Sequence, residues 1–216
     1  LRVKAYAEKK GISYGGYPES LIQLLERNPE TEDFVLNYPF RDEVAVEAFS
    51  YDRTQGVPLM MQWDQRWGYL KYGSDVVGIT GCGPVCLSMA AWYLTEDPQY
   101  SPDKMLAFAL ENGYYSKGNG SSWTLISEGG VKLGLKVTEI PLVKKKIMNH
   151  LEAGNPIICA MGKGDFTTSG HYIVLVGTED GLIRVNDPNS RERSEKLWTY
   201  EQLEKQIRNI WAIGKQ

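Results

Sequence analysis

Cysteine and histidine are both scarce in this chain of 216 residues: three of the first and two of the second. Three cysteines exclude a disulfide-dense scaffold, and the odd number is compatible with a free thiol in any compartment. A Cys-x-x-x-Cys pair (Cys82 and Cys86) with His171 offers a metal or redox reading, but no fourth ligand with structural-zinc spacing accompanies it. No metal is therefore expected, and nothing in the chemistry read below requires an organic cofactor. No apolar run is long enough to span a membrane. Excess positive charge is missing too: the formal net charge is −3, so no broad basic field exists to attract nucleic acid. The Lys144-Lys145-Lys146 triplet is too short to alter that and reads as a solvated helix start. Internal repeats and low-complexity tracts are absent. What remains is an ordinary globular composition, 42% hydrophobic and 24% charged, sized for one domain or one domain with an extension. The chain begins at Leu1 instead of Met, so a start inside a longer gene product, after a removed export segment, is expected.

The most informative stretch is Gly81-Cys82-Gly83-Pro84. Two glycines allow a tight, unobstructed turn, and Pro84 suits the first turn of a helix, where its missing N–H costs nothing. The apolar residues 85–94 then read as a buried helix. Cys82 would sit beside unpaired N–H groups at the positive end of the helix dipole, which favours the thiolate, the nucleophilic form.

A second segment supplies what a thiolate needs. Gly170-His171-Tyr172 opens a predicted strand over 171–177, Asp180-Gly181 signals a tight turn, and a second strand over 182–186 ends at Asp187-Pro188. Such a hairpin returns Asp187, or its neighbour Asn186, beside His171. Thiol, imidazole and an orienting group are the parts of nucleophilic cysteine catalysis. The bland alternatives are that Cys82 is a small buried hydrophobe and that the histidine is structural. Cys86 and Cys159 read as core residues, and His150 as a solvated helix residue.

The motifs Gly81-Cys82-Gly83-Pro84, Gly170-His171-Tyr172 and Asn186-Asp187-Pro188, with the upstream block Gln62-Trp63-Asp64-Gln65-Arg66-Trp67-Gly68 and Asp187-Pro188-Asn189-Ser190, resemble the papain-like cysteine peptidases of the bacteriocin-processing, double-glycine type (family thirty-nine of clan CA), in their stand-alone Gram-positive branch. The resemblance covers residues 57 to 213. It implies Cys82 as nucleophile, His171 as general base, Asp187 as orienting acid and Gln62 as the oxyanion-hole side chain, with Gln65 in reserve. The amide nitrogen of Gln62 is then expected to point in front of the Cys82 sulfur. In transporter-linked members the glutamine lies only a few residues before the cysteine; here residues 69–78 must loop out between them. The resemblance further implies a peptide or protein substrate, with cell-wall and secreted peptides among the options, and an exported or surface-attached protein. A rival reading keeps the fold as a non-catalytic peptide- or cell-wall-binding module.

The expected fold is α+β and papain-like: a helical lobe carrying the Cys helix, packed on an antiparallel sheet carrying His171 and Asp187. Residues 1–56 are read as an N-terminal arm and helical extension, and 57–216 as the peptidase domain. Within the extension, residues 1–16 are expected to be irregular, with short helices over 20–27 and 32–37 whose simplest role is to cover the core, the alternative being to wall the substrate groove. Further helices are expected over 102–112, from 123 to about 133, over 147–153 and over 200–208, the last from the capping box Thr199-Tyr200-Glu201-Gln202. Strands are expected at 156–161 and 209–213. Trp63 and Trp123 are candidate groove walls, and the Gly- and Thr-rich residues 162–170 a candidate gate.

Overall fold

The computed structural model describes residues 2–44 and 50–216. An N-terminal layer contains α1 (Arg2–Lys10), α2 (Glu19–Arg27) and α3 (Glu32–Leu36). A small hairpin follows, β1 (Lys71–Tyr72) with β2 (Asp75–Val76), then α4 (Val77–Thr80), α5 (Cys82–Thr95) and α6 (Pro102–Glu111). The pair β3 (Tyr115–Ser116) and β4 (Gly120–Ser121) leads to a wide π-turn over Leu125–Gly129 and α7 (Gly130–Lys132). The rest is β5 (Leu135–Glu139), α8 (Lys144–Glu152), β6 (Ile157–Met161), β7 (His171–Glu179), β8 (Leu182–Asn186), α9 (Arg191–Glu195), β9 (Leu197–Trp198), α10 (Tyr200–Glu204) and β10 (Ile207–Lys215). Six strands form one antiparallel sheet in the order β5-β10-β6-β7-β8-β9.

Alternation along the strands divides the core in two. Ile158, Ala160, Tyr172, Val174, Trp211 and Ile213 face α5, whereas Ile157, Cys159, Ile173, Leu175, Ile210 and Ala212 face α8 and α10. Each fully buried Leu or Ile in these layers stabilises by roughly 1.5–3 kcal/mol. The Cys helix is apolar all round and buried from Gly83 to Leu94 apart from Tyr93, as a helix surrounded by protein must be. A third cluster joins the N-terminal helices to the main body: Val3, Leu21, Leu24, Phe34 and Val35 pack with Met61 and Trp63.

Several expectations are revised. Residues 2–10 form a helix, since Val3 and Ala7 lie one turn apart and bury against the extension. Residues 69–78 do not loop out freely; they fold into the β1–β2 hairpin, and the Gly78 N–H donates to the Gly68 carbonyl at 2.9 Å. Strand β5 was not among the expected strands, although Leu135 and Val137 alternate with Lys136 and Thr138 along it. The last helix keeps its Thr199/Gln202 capping box but ends at Glu204, because Ile207 must enter β10.

Candidate active site

Local sequence sets Cys82 at the first position of α5. Its neighbour Gly83 lies so close to β4 that an added Cβ would fall 2.7 Å from the Ser121 side chain. Only glycine lets the helix tip seat that deeply. The sulfur is half-buried, and the first N–H groups of the helix have no partner within it. One turn on, Cys86 is wholly buried in the core, where burial pushes its thiol well up; Cys159 behaves alike.

His171 opens β7, and Asp187 follows the last residue of β8. Asp180 and Gly181 both take the left-handed backbone that the tight turn demands. Register then decides between Asn186 and Asp187. Asn186 pairs with Val174, so its side chain turns to the α5 side and donates to the Val57 and Pro58 carbonyls at 3.1 and 2.9 Å. Asp187, one residue later, comes out on the opposite side. The His171 Nε2–H donates to Asp187 Oδ1 at 2.7 Å. With Nε2 committed, Nδ1 is the ring nitrogen left to Cys82, whose nearness also raises the imidazole.

Asp187 has no exposed surface. Its other oxygen, Oδ2, accepts from Arg193 Nε at 2.6 Å, and Oδ1 also accepts from the Asn189 N–H at 2.8 Å. Burial alone would raise its carboxyl, but His171 and then Arg193 outweigh burial and hold it below the ordinary 3.8. Burial likewise pulls the imidazole down, yet the Asp187 charge and hydrogen bond, helped by Cys82, lift it from 6.5 to about 10. A buried carboxylate thus both aims His171 and favours its charged form.

Cys82 and His171 open onto a cleft of about 570 Å³, which Gln62, residues 164–170 and the extension residues Leu24, Arg27, Asn28, Pro29 and Glu30 also line. The extension therefore walls the cleft as well as covering the core. Residues 162–170 are pinned from behind by Gln206, whose Oε1 accepts from the Asp165 N–H at 2.7 Å and whose Nε2 donates to Asp165 Oδ2 at 2.6 Å. Neither tryptophan candidate lines this cleft. Trp63 is buried, donating to the Asn189 carbonyl at 3.2 Å, and Trp123, 49% exposed, packs edge-on against Trp211.

Residues 54–216 match the model of the Peptidase_C39 like family. The chain belongs to that family. Two solved structures similar to it are the peptidase domain of Streptococcus ComA, a bi-functional ABC transporter involved in a quorum sensing pathway, and the Streptococcus mutans ComA peptidase domain in complex with a small-molecule inhibitor. The first is 22% identical over 63% of this chain and 93% of its own, with a TM-score of 0.45. The second is 16% identical over 73% and 98%, with the same TM-score. No curated protein gives a significant match.

In this member of the Peptidase_C39 like family, Gln62 departs from expectation. It lies in the cleft wall, but its amide nitrogen donates to the Gly78 and Ile79 carbonyls at 3.0 and 3.3 Å. Those two carbonyls take up both N–H bonds, while Oε1 is buried without a partner. Reversing the amide would set an oxygen against two carbonyls, so the orientation is fixed by chemistry. Gln62→Ala is therefore expected to lower unfolding free energy by about 1–3 kcal/mol, the cost of buried groups left unpaired, measurable by denaturant titration. Gln65→Ala is expected to be near neutral.

Arg193 was not foreseen. A signal existed: Ser190 is a good helix N-cap, and a helix begun there carries residue 193 back over Asp187. The Ser190 side chain accepts from the Arg193 N–H at 3.1 Å, as such a cap should. Among the described residues no group of three or more His, Cys, Asp or Glu is placed to hold a metal ion.

Proposed function

We propose that the chain is a cysteine peptidase whose reaction runs through Cys82, His171 and Asp187. The observation that carries this reading is the 2.7 Å hydrogen bond from His171 to a fully buried carboxylate, in the same cleft as a cysteine at a helix tip. The Cys82 thiolate attacks a peptide carbonyl carbon, forming a C–S bond and a tetrahedral oxyanion. His171 delivers its proton to the leaving amine as the C–N bond breaks. Water then gives a proton to the neutral imidazole and attacks the thioester; the C–S bond breaks, releasing the carboxylic acid and restoring the Cys82 thiolate beside the His171 imidazolium. The Cys82 N–H, at the start of α5, is the donor best placed for the oxyanion. Gln62 serves here by bracing residues 78–79, which lead into α5.

The test is a cleavage profile against a peptide library read by mass spectrometry. New termini are expected with wild type and none with Cys82→Ala. A wild-type protein that captures peptides without cutting any would place the chain with the binding modules instead.

A further inference from the structure

The loop that carries Asp187 is held from outside the catalytic domain's own sheet. The Glu30 carboxylate, just past α2, accepts from Ser190 Oγ at 2.6 Å and from the Arg191 N–H at 2.8 Å. Asn28 Nδ2 donates to the Asn189 carbonyl at 2.7 Å. Those contacts fix the residues on which the catalytic carboxylate depends. Ser190 Oγ caps the turn that brings Arg193 to Asp187 Oδ2. The Ser190 carbonyl accepts from Ser194 Oγ at 2.7 Å, and Ser194 Oγ in turn accepts from the Asp187 N–H at 2.9 Å. Asn189 supplies a further N–H to Asp187 Oδ1. Nearly every group that aims Asp187 is anchored to a residue the N-terminal extension grips.

We propose that the N-terminal extension is a working part of the site, with Glu30 a positioning residue that sets the Asp187 loop for His171. The proposal rests on the cysteine-peptidase reading for its consequence in turnover, but its geometry stands apart from any substrate. Glu30 touches no reacting atom. It acts through Ser190 and Arg191 on α9, and through α9 on the carboxylate. Without it the loop gains freedom, the 2.7 Å bond to the imidazole is made for less of the time, and the imidazolium is less well held. The ionisable groups that share the cleft with the imidazole are Cys82 from α5, Glu192 and Arg193 from α9, Asp165 before β7, and Arg27 and Glu30 from the extension; Asp187, after β8, lies buried behind it. Only Cys82 and Asp187 act directly on His171, so Glu30 reaches it through Asp187.

The experiment is a histidine-ring NMR titration of the full chain, simplified by its having only two histidines. Wild type, Glu30→Ala, Glu30→Gln and Glu32→Ala are compared. Glutamine can keep both bonds, accepting from the Arg191 N–H and donating to the Ser190 hydroxyl, whereas alanine keeps neither. Glu32→Ala breaks only an exposed ion pair to Arg2 in the same extension. Glu30→Ala is expected to lower the His171 midpoint by about one pH unit and kcat by about ten- to a hundredfold. Glu30→Gln and Glu32→Ala are expected to stay near wild type. If Glu30→Ala does not fold, Ser190→Ala removes the same contact from the loop side and is expected to give the same shift. A folded Glu30→Ala or Ser190→Ala protein with the wild-type midpoint would overturn the proposal. The shift appearing in a protein that cleaves no peptide would sink the peptidase reading while supporting the clamp.

Discussion

Cys82→Ala and Cys82→Ser are expected to reduce peptide hydrolysis by several orders of magnitude while the protein unfolds at nearly the same denaturant concentration as wild type. The two halves of this expectation have separate physical grounds. Loss of rate follows from removing the atom that in the proposed mechanism forms the acyl-enzyme; a serine hydroxyl is far less readily ionised by a neighbouring imidazole. Retained stability follows from position: the side chain is half-buried at the tip of α5, not inside the core. Cys86→Ala should do the reverse. That sulfur is fully buried beside Val85, Leu87 and Met89, so its loss leaves a small cavity and costs roughly 1 kcal/mol or more, with turnover largely kept. Steady-state kinetics and denaturant melts on the same four proteins separate the cases. Equal loss of activity in the Cys82 and Cys86 variants would point to a shared ligand site in place of a nucleophile.

Asp187 is expected to give the second large effect, and one that pH resolves. Removing it as Asp187→Ala strands the Arg193 guanidinium and takes away the acceptor for His171 Nε2–H. Breaking a buried pair in this way costs about 3–5 kcal/mol, and turnover should fall at least a hundredfold. The sign of the pH dependence follows from the two shifts. His171 is raised, so its contribution to stability is complete below the ordinary 6.5 and is lost as pH climbs through about 10. Asp187 is lowered, so its contribution is complete above the ordinary 3.8 and is lost as pH falls through its depressed value. Wild type should then be most stable between those limits, and Asp187→Ala should lose the plateau at both ends. Asp187→Asn keeps an acceptor without the charge. It should retain more turnover than alanine, with an alkaline limb that begins well below wild type. Rate and melt profiles across pH measure both, and an alkaline limb unchanged in Asp187→Asn would remove the carboxylate from the mechanism.

The parts of this site that could be read from sequence are those fixed by local rules. Gly81-Cys82-Gly83-Pro84 writes a helix start into consecutive residues, and Asp180-Gly181 writes a hairpin, so Cys82, His171 and Asp187 were all within reach. Choosing Asp187 over Asn186 on geometry required the Val174–Asn186 register, which no single strand reveals. The parts that escaped depend on contacts across long stretches of chain. Gln62 was expected to face the sulfur, but its amide answers to the Gly78 and Ile79 carbonyls, whose position is set by the β1–β2 hairpin folding upstream. Asn28 and Glu30 lie between the two short helices expected in the extension, and nothing near them in sequence indicates Asn189, Ser190 and Arg191 as partners. Helix α1 lacked a strong amphipathic pattern because it buries only Val3 and Ala7, a narrow stripe on a polar helix.

The central claim is that Cys82 alone among the three cysteines is an activated nucleophile. Incubation at neutral pH with a peptidyl epoxide directed at cysteine peptidases, followed by intact mass and peptide mapping, tests it most directly. The expected result is a single adduct on Cys82, slowed strongly in Asp187→Ala, with Cys86 and Cys159 unmodified in the folded protein. Absence of an adduct at Cys82, or labelling spread equally over the three thiols, would contradict it.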